Sequence, residues 1–140
     1  MMSINWLPVI LAACAAWVFG AIYYGLLGNV WLAAQGLTKD RLMRERGKRS
    51  ALVNAYPFVA SLIAEIVIAW VLCGMLMHMG MFSARAGIIS GAFVWFGFVL
   101  TTIVVNNAYT FRSWRLTAID AVHWLGAFVI IGAVVGSWPR

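Results

Sequence analysis

The stretch from Ile88 to Val105 carries no charged residue. A helix buried in a soluble bundle keeps a polar face at a period of 3.6 residues, and here no side of the helix bears a charge. Three other stretches are almost as apolar, and about 20 mainly apolar residues make a helix that crosses a bilayer. The four candidate spans run from about Trp6 to Trp31, Pro57 to His78, Ala86 to Asn106 and Leu116 to Trp138. At 1.5 Å per residue, each is about 30–39 Å long. Pro57 suits a first helical turn, where its missing N–H costs nothing, and Pro8 stands near the start of the first span.

Composition supports the membrane reading. The chain of 140 residues is 64% hydrophobic and 10% charged, against about 45–50% and 25% for a soluble domain. So few charges do not cover a water-soluble globule. Two cysteines, Cys14 and Cys73, exclude a disulfide scaffold. Leu11-Ala-Ala-Cys14 has the form of a lipoprotein cleavage box, but no Lys or Arg precedes it and the apolar run continues past it, so an uncleaved span is expected. The fold class predicted is all-α: an integral membrane four-helix bundle, one transmembrane domain over residues 1–140. Short connections make neighbouring spans antiparallel, up-down-up-down.

Charge sets the expected orientation. Lys39, Arg41, Arg44, Arg46, Lys48 and Arg49 follow the first span, and Arg112 and Arg115 follow the third. Only Arg85 and Arg140 fall at the other end. The positive-inside rule then places the basic end in the cytoplasm and both termini outside, in a bacterial inner membrane. Trp6 and Trp138 are expected at the outer interface, and Trp31, Tyr56, Tyr109 and Trp114 at the inner one. The basic loop reads as a topology signal and a contact for anionic headgroups, not as a nucleic-acid site.

Particular residues resemble a known family. The first span ends in Gly20-Ala-Ile-Tyr-Tyr24-Gly-Leu-Leu-Gly28-Asn-Val-Trp31, followed by Gln35-Gly36-Leu37-Thr38. The third-to-fourth connection reads Asn106-Asn107-Ala-Tyr109-Thr-Phe-Arg112-Ser-Trp114-Arg115, then Ile119-Asp120-Ala-Val-His123-Trp124. With Asn5-Trp6, this pattern is similar to the domain of unknown function 1761 family, small bacterial membrane proteins with four spans. Members often have Trp where this chain has Tyr23. The resemblance implies the fold and topology; it implies no reaction and supplies no catalytic residues.

Polar groups inside the spans are the functional candidates, because a charge at the bilayer centre costs about 2.5–3.5 kcal/mol or more. Ser61, Glu65, Ala69 and Cys73 form a small-or-polar stripe at i, i+4 spacing, which turns Glu65 toward protein. Asp120 and His123 share a face of the fourth helix, where Asp120 can accept from the imidazole or pair with Arg112 or Arg115. Gly20, Tyr24, Gly28 and Trp31 share a face of the first. Tyr24, Glu65, Asn106, Asn107, Asp120 and His123 thus converge at one depth as a candidate polar cluster for a proton, a cation or a polar ligand. The alternative is architectural: buried hydrogen bonds that fix helix register.

Met75, His78 and Met79 are a weaker candidate, for a soft metal such as Cu(I); methionine is also an apolar filler. Gly87–Gly91 and Gly132–Gly136 have the spacing of close helix packing, within the chain or between copies. No phosphate loop, zincin motif, serine elbow or paired-cysteine motif occurs, so no cofactor and no enzymatic activity are expected. The expected role is a structural or accessory membrane protein that self-associates or joins another membrane protein. The alternative is a small transporter or channel built on Glu65, Asp120 and His123.

Overall fold

The computed structural model describes residues 5–138; Arg140 lies outside them. Among the described residues every element is helical. Four helices are long and apolar enough to span a membrane: Trp6–Ala34, Ala51–Met79, Ala84–Tyr109 and Trp114–Ser137, here called the first to fourth spans. A short basic helix, Lys39–Gly47, joins the first two at the basic end.

Local signals explain the boundaries. Asn5 caps the first span, its side chain accepting from the Leu7 N–H at 3.0 Å. That span ends in a Schellman motif: Gly36 N–H donates to the Ala33 carbonyl and Leu37 N–H to the Leu32 carbonyl. The motif needs a left-handed residue, and Gly36 supplies it at φ +70°. The second span ends the same way at Gly80. Thr38 and Ser50 cap the basic helix and the second span.

Three features differ from the sequence expectation. The basic loop is a helix: Thr38 at its cap, Asp40 in its first turn and Arg44 and Arg46 in its last complement the helix dipole. The second span begins at Ala51, so Pro57 lies inside the helix rather than in its first turn. The third span contains a π-helical segment, Trp95–Leu100. The Thr101 hydroxyl donates back to the Gly97 carbonyl at 2.8 Å, an insertion into the backbone ladder that loosens a helix.

The glycine pairs are used within the chain. A Cβ added to Gly87 would lie 1.8 Å from the Gly132 carbonyl oxygen, and one on Gly132 would lie 2.1 Å from that of Gly87. Gly91 similarly abuts Phe128 and Gly136 abuts Ser83. Backbone meets backbone where the third and fourth spans cross, as small residues permit. The Trp95 indole adds a hydrogen bond to the Ala121 carbonyl at 2.9 Å.

The core lies toward the end opposite the basic helix. There Val9, Ala12, Ala13 and Ala16 of the first span meet Ala69, Leu72, Cys73 and Leu76 of the second and Ala127, Phe128, Ile131 and Val135 of the fourth. The alanines bring the first span close to its neighbours. Toward the basic end this apolar contact gives way to aromatic and polar side chains.

Candidate functional site

Between the first and second spans, in the basic half, lies a cleft of about 530 Å³. The first span contributes one helical face: Trp17, Gly20, Tyr24, Gly28 and Trp31. The second contributes Pro57, Phe58, Ser61 and Glu65, the fourth His123, and the basic helix Leu42 and Arg46 at the mouth. Chain direction sets the depth. Trp17, Ser61 and Glu65 are nearest the apolar core, and Trp31, Leu42 and Arg46 are nearest the membrane surface.

Glycine makes the space. A Cβ on Gly25 or Gly28 would meet nothing within 4 Å, so these residues leave the wall of the first helix low. Gly25 and Ala21 are exposed on one rim, and Phe58 on the other is 52% exposed. The cleft therefore opens sideways, toward lipid, as well as toward the basic helix.

At its floor the Trp17 indole N–H donates to the Phe58 carbonyl and to Ser61 Oγ, both at 3.1 Å. This brace holds the two walls together. Glu65 is 2% exposed and His123 7% exposed. Glu65 Oε2 and His123 Nδ1 are buried without a hydrogen-bond partner among the described residues. Buried polar groups are nearly always paired, and each exception calls for an explanation.

Asp120 is satisfied differently. Its Oδ1 accepts from the Tyr24 hydroxyl at 2.8 Å and from the Trp31 indole at 3.0 Å. It pairs with no arginine among the described residues, where the one ion pair is Lys48–Glu45; Arg115 instead lies over the Trp114 ring. Trp31 thus turns inward rather than serving as an interfacial anchor. Tyr24 joins this bond to the cleft wall and to His123, whose ring centre lies 4.7 Å from its own. The His123 ring also stacks on Phe19, with 7° between planes. It fits because Gly20 has no side chain; a Cβ there would lie 2.8 Å from Nε2.

The chain's match to known sequences agrees with this architecture. Over residues 7–136 it matches a family described as protein of unknown function (DUF1761). The chain belongs to the DUF1761 family. No curated protein and no solved structure matches it. The DUF1761 match includes every cleft residue named above and all but the terminal residues Trp6 and Ser137 of the four membrane helices.

Of the six residues expected to converge, Tyr24, Glu65 and His123 line the cleft, and Asp120 stands behind Tyr24. Asn106 and Asn107 do not join them. The third span packs on the fourth, where Asn107 donates to the Thr117 hydroxyl at 3.0 Å, and Asn106 is exposed. Met75 packs against the core, while His78 and Met79 are exposed. No group of three or more His, Cys, Asp or Glu side chains capable of holding a metal occurs among the described residues. Trp17, Phe58 and Arg46 were missed as site residues. Trp17 was legible, because it continues the face of Gly20, Tyr24, Gly28 and Trp31 at helical spacing.

Proposed function

We propose that this protein binds a lipid-soluble amphiphilic small molecule, taken up sideways from the leaflet at its basic end. The carrying observation is the pair Glu65 Oε2 and His123 Nδ1: two buried, unpartnered polar atoms on residues lining one aromatic cleft. Its volume lies within the range of about 300–1,000 Å³ typical of small-molecule sites, and apolar walls with a few converging polar groups are their usual make-up. The walls solvate the ligand's apolar body; the Glu65 carboxyl and the His123 imidazole are the buried polar groups available to its polar end.

The charge asymmetry of the loops supports a basic end in the cytoplasm of a bacterial inner membrane, with both termini outside. Binding without catalysis is the simplest activity of these groups. Self-association has less support than the sequence offered, because both glycine pairs are engaged inside the chain. Transport requires the other half of the bundle to open, and that half is filled by apolar side chains such as Val9, Ala12 and Leu76, each 0% exposed.

Photolabelling tests the binding reading. A photoreactive amino acid replaces Gly25, on the cleft rim, or Leu26, which is 80% exposed. Irradiation in native membranes should yield a discrete small-molecule adduct at position 25 that is absent at position 26. Identical bulk-lipid adducts at both positions would refute the reading.

A further inference from the structure

The unpartnered groups of the cleft differ in charge, and that difference bears on the ligand. Glu65 lies in the membrane half of the cleft, at its floor, 2% exposed. A carboxyl group in such a place is either protonated or, as a carboxylate, needs a cation or several hydrogen-bond donors. Asp120 has its donors in Tyr24 and Trp31. The Glu65 carboxyl has no ion pair among the described residues, and its Oε2 has no donor there.

The cleft that Glu65 enters is also lined by the aromatic residues Trp17, Tyr24, Trp31 and Phe58. Aromatic faces are electron-rich and attract a cation, by about 2 kcal/mol or more where the charge is desolvated. A compact, hydrated metal ion gains little here, since Glu65 is the sole carboxylate lining the cleft and hard cations take six or more oxygen ligands. The sideways opening past Ala21, Gly25 and Phe58 admits a solute already dissolved in lipid. One permanently charged basic side chain lines the cleft, Arg46, and it is exposed at the mouth, within reach of anionic headgroups.

We infer that the ligand is a lipophilic organic cation, with Glu65 as its counter-charge and the four aromatic rings as its walls. This rests on the cleft being a ligand site, and it adds the sign of the ligand's charge. It also assigns opposite effects to two residues. Glu65 attracts the ligand, whereas Arg46 repels it on the way in.

The test is equilibrium binding of tetraphenylphosphonium, a permanent lipophilic cation, to the full chain in lipid nanodiscs. Neutral triphenylphosphine oxide is the comparison probe. The cation should bind and the neutral probe should bind at least tenfold more weakly. Glu65→Gln, nearly the same shape, should weaken cation binding at least tenfold; Arg46→Gln should strengthen it several-fold. Gly28→Leu, whose side chain enters open space, should abolish binding of either probe while the helical circular dichroism and unfolding temperature are kept. If both probes bind equally and Glu65→Gln changes neither, the cleft remains a ligand site and the cation inference is overturned. If tetraphenylborate, a lipophilic anion of the same shape, binds more tightly than tetraphenylphosphonium and Glu65→Gln strengthens its binding, the ligand is anionic and the inference is again overturned. If neither probe binds the folded wild-type protein, the inference fails together with the reading beneath it.

Discussion

Replacing Gly87 with alanine probes the closest contact in the bundle. The added methyl would sit 1.8 Å from the Gly132 carbonyl oxygen. That is about 1.6 Å short of ordinary contact, which begins at 3.4 Å. The obstacle is backbone, so no side chain can rotate away. The third and fourth spans must part, and a gap of only about 0.5–1 Å already forfeits a quarter to a half of each neighbouring van der Waals contact. Overpacking in a tight core costs about 1–3 kcal/mol. With the lost contacts at Gly91 and Gly136, Gly87→Ala should destabilise the protein by about 3 kcal/mol or more. Reversible unfolding in mild detergent, followed by circular dichroism, measures this. Gly74→Ala is the control: nothing lies within 4 Å of its Cβ position, so it should be neutral or stabilising by up to about 1 kcal/mol. If Gly87→Ala stays within about 0.5 kcal/mol of wild type, the size of an ordinary surface change, the packing described here is wrong. A mutant that keeps its stability but changes oligomeric state would show that the glycines join separate copies.

Other perturbations address the hydrogen bonds and turns. Tyr24→Phe removes one of two donors to Asp120 and should cost about 0.6–1.7 kcal/mol, the range of single side-chain hydrogen bonds inside membranes, in the same unfolding assay. Gly36→Ala forces a Cβ into the left-handed region at φ +70° and should cost about 1–2 kcal/mol, although its Cβ would meet no atom within 4 Å. Gly20→Ala should displace the His123 ring, seen as changed imidazole chemical shifts in NMR, because its Cβ would lie 2.8 Å from Nε2.

Hydropathy alone made the four spans legible, because a bilayer tolerates few unpaired charges. It placed helix ends less well: apolar content marks the membrane-embedded part, whereas caps such as Asn5 and Ser50 set where the helix begins. Of the candidate site, Glu65 was readable from its stripe and Tyr24 from its helix face. The placing of Asn106 and Asn107 was not, since depth along a helix says nothing of its rotation or of which neighbour it meets. The third span turns Asn107 to Thr117, and neither residue lines the cleft. The glycine spacings announced close packing without a partner; only the fold pairs Gly87 with Gly132. The cleft itself arises from residues without side chains, Gly25 and Gly28, opposite a helix that starts six residues before Pro57. Such an absence carries little sequence signal.

The most direct test of the binding account is native mass spectrometry of the protein released gently from its own membranes, beside Gly28→Leu. The account predicts a discrete retained small molecule at one copy per chain in the wild type, and none in the variant. A wild-type spectrum with only bulk lipid, matched by the variant, would contradict it.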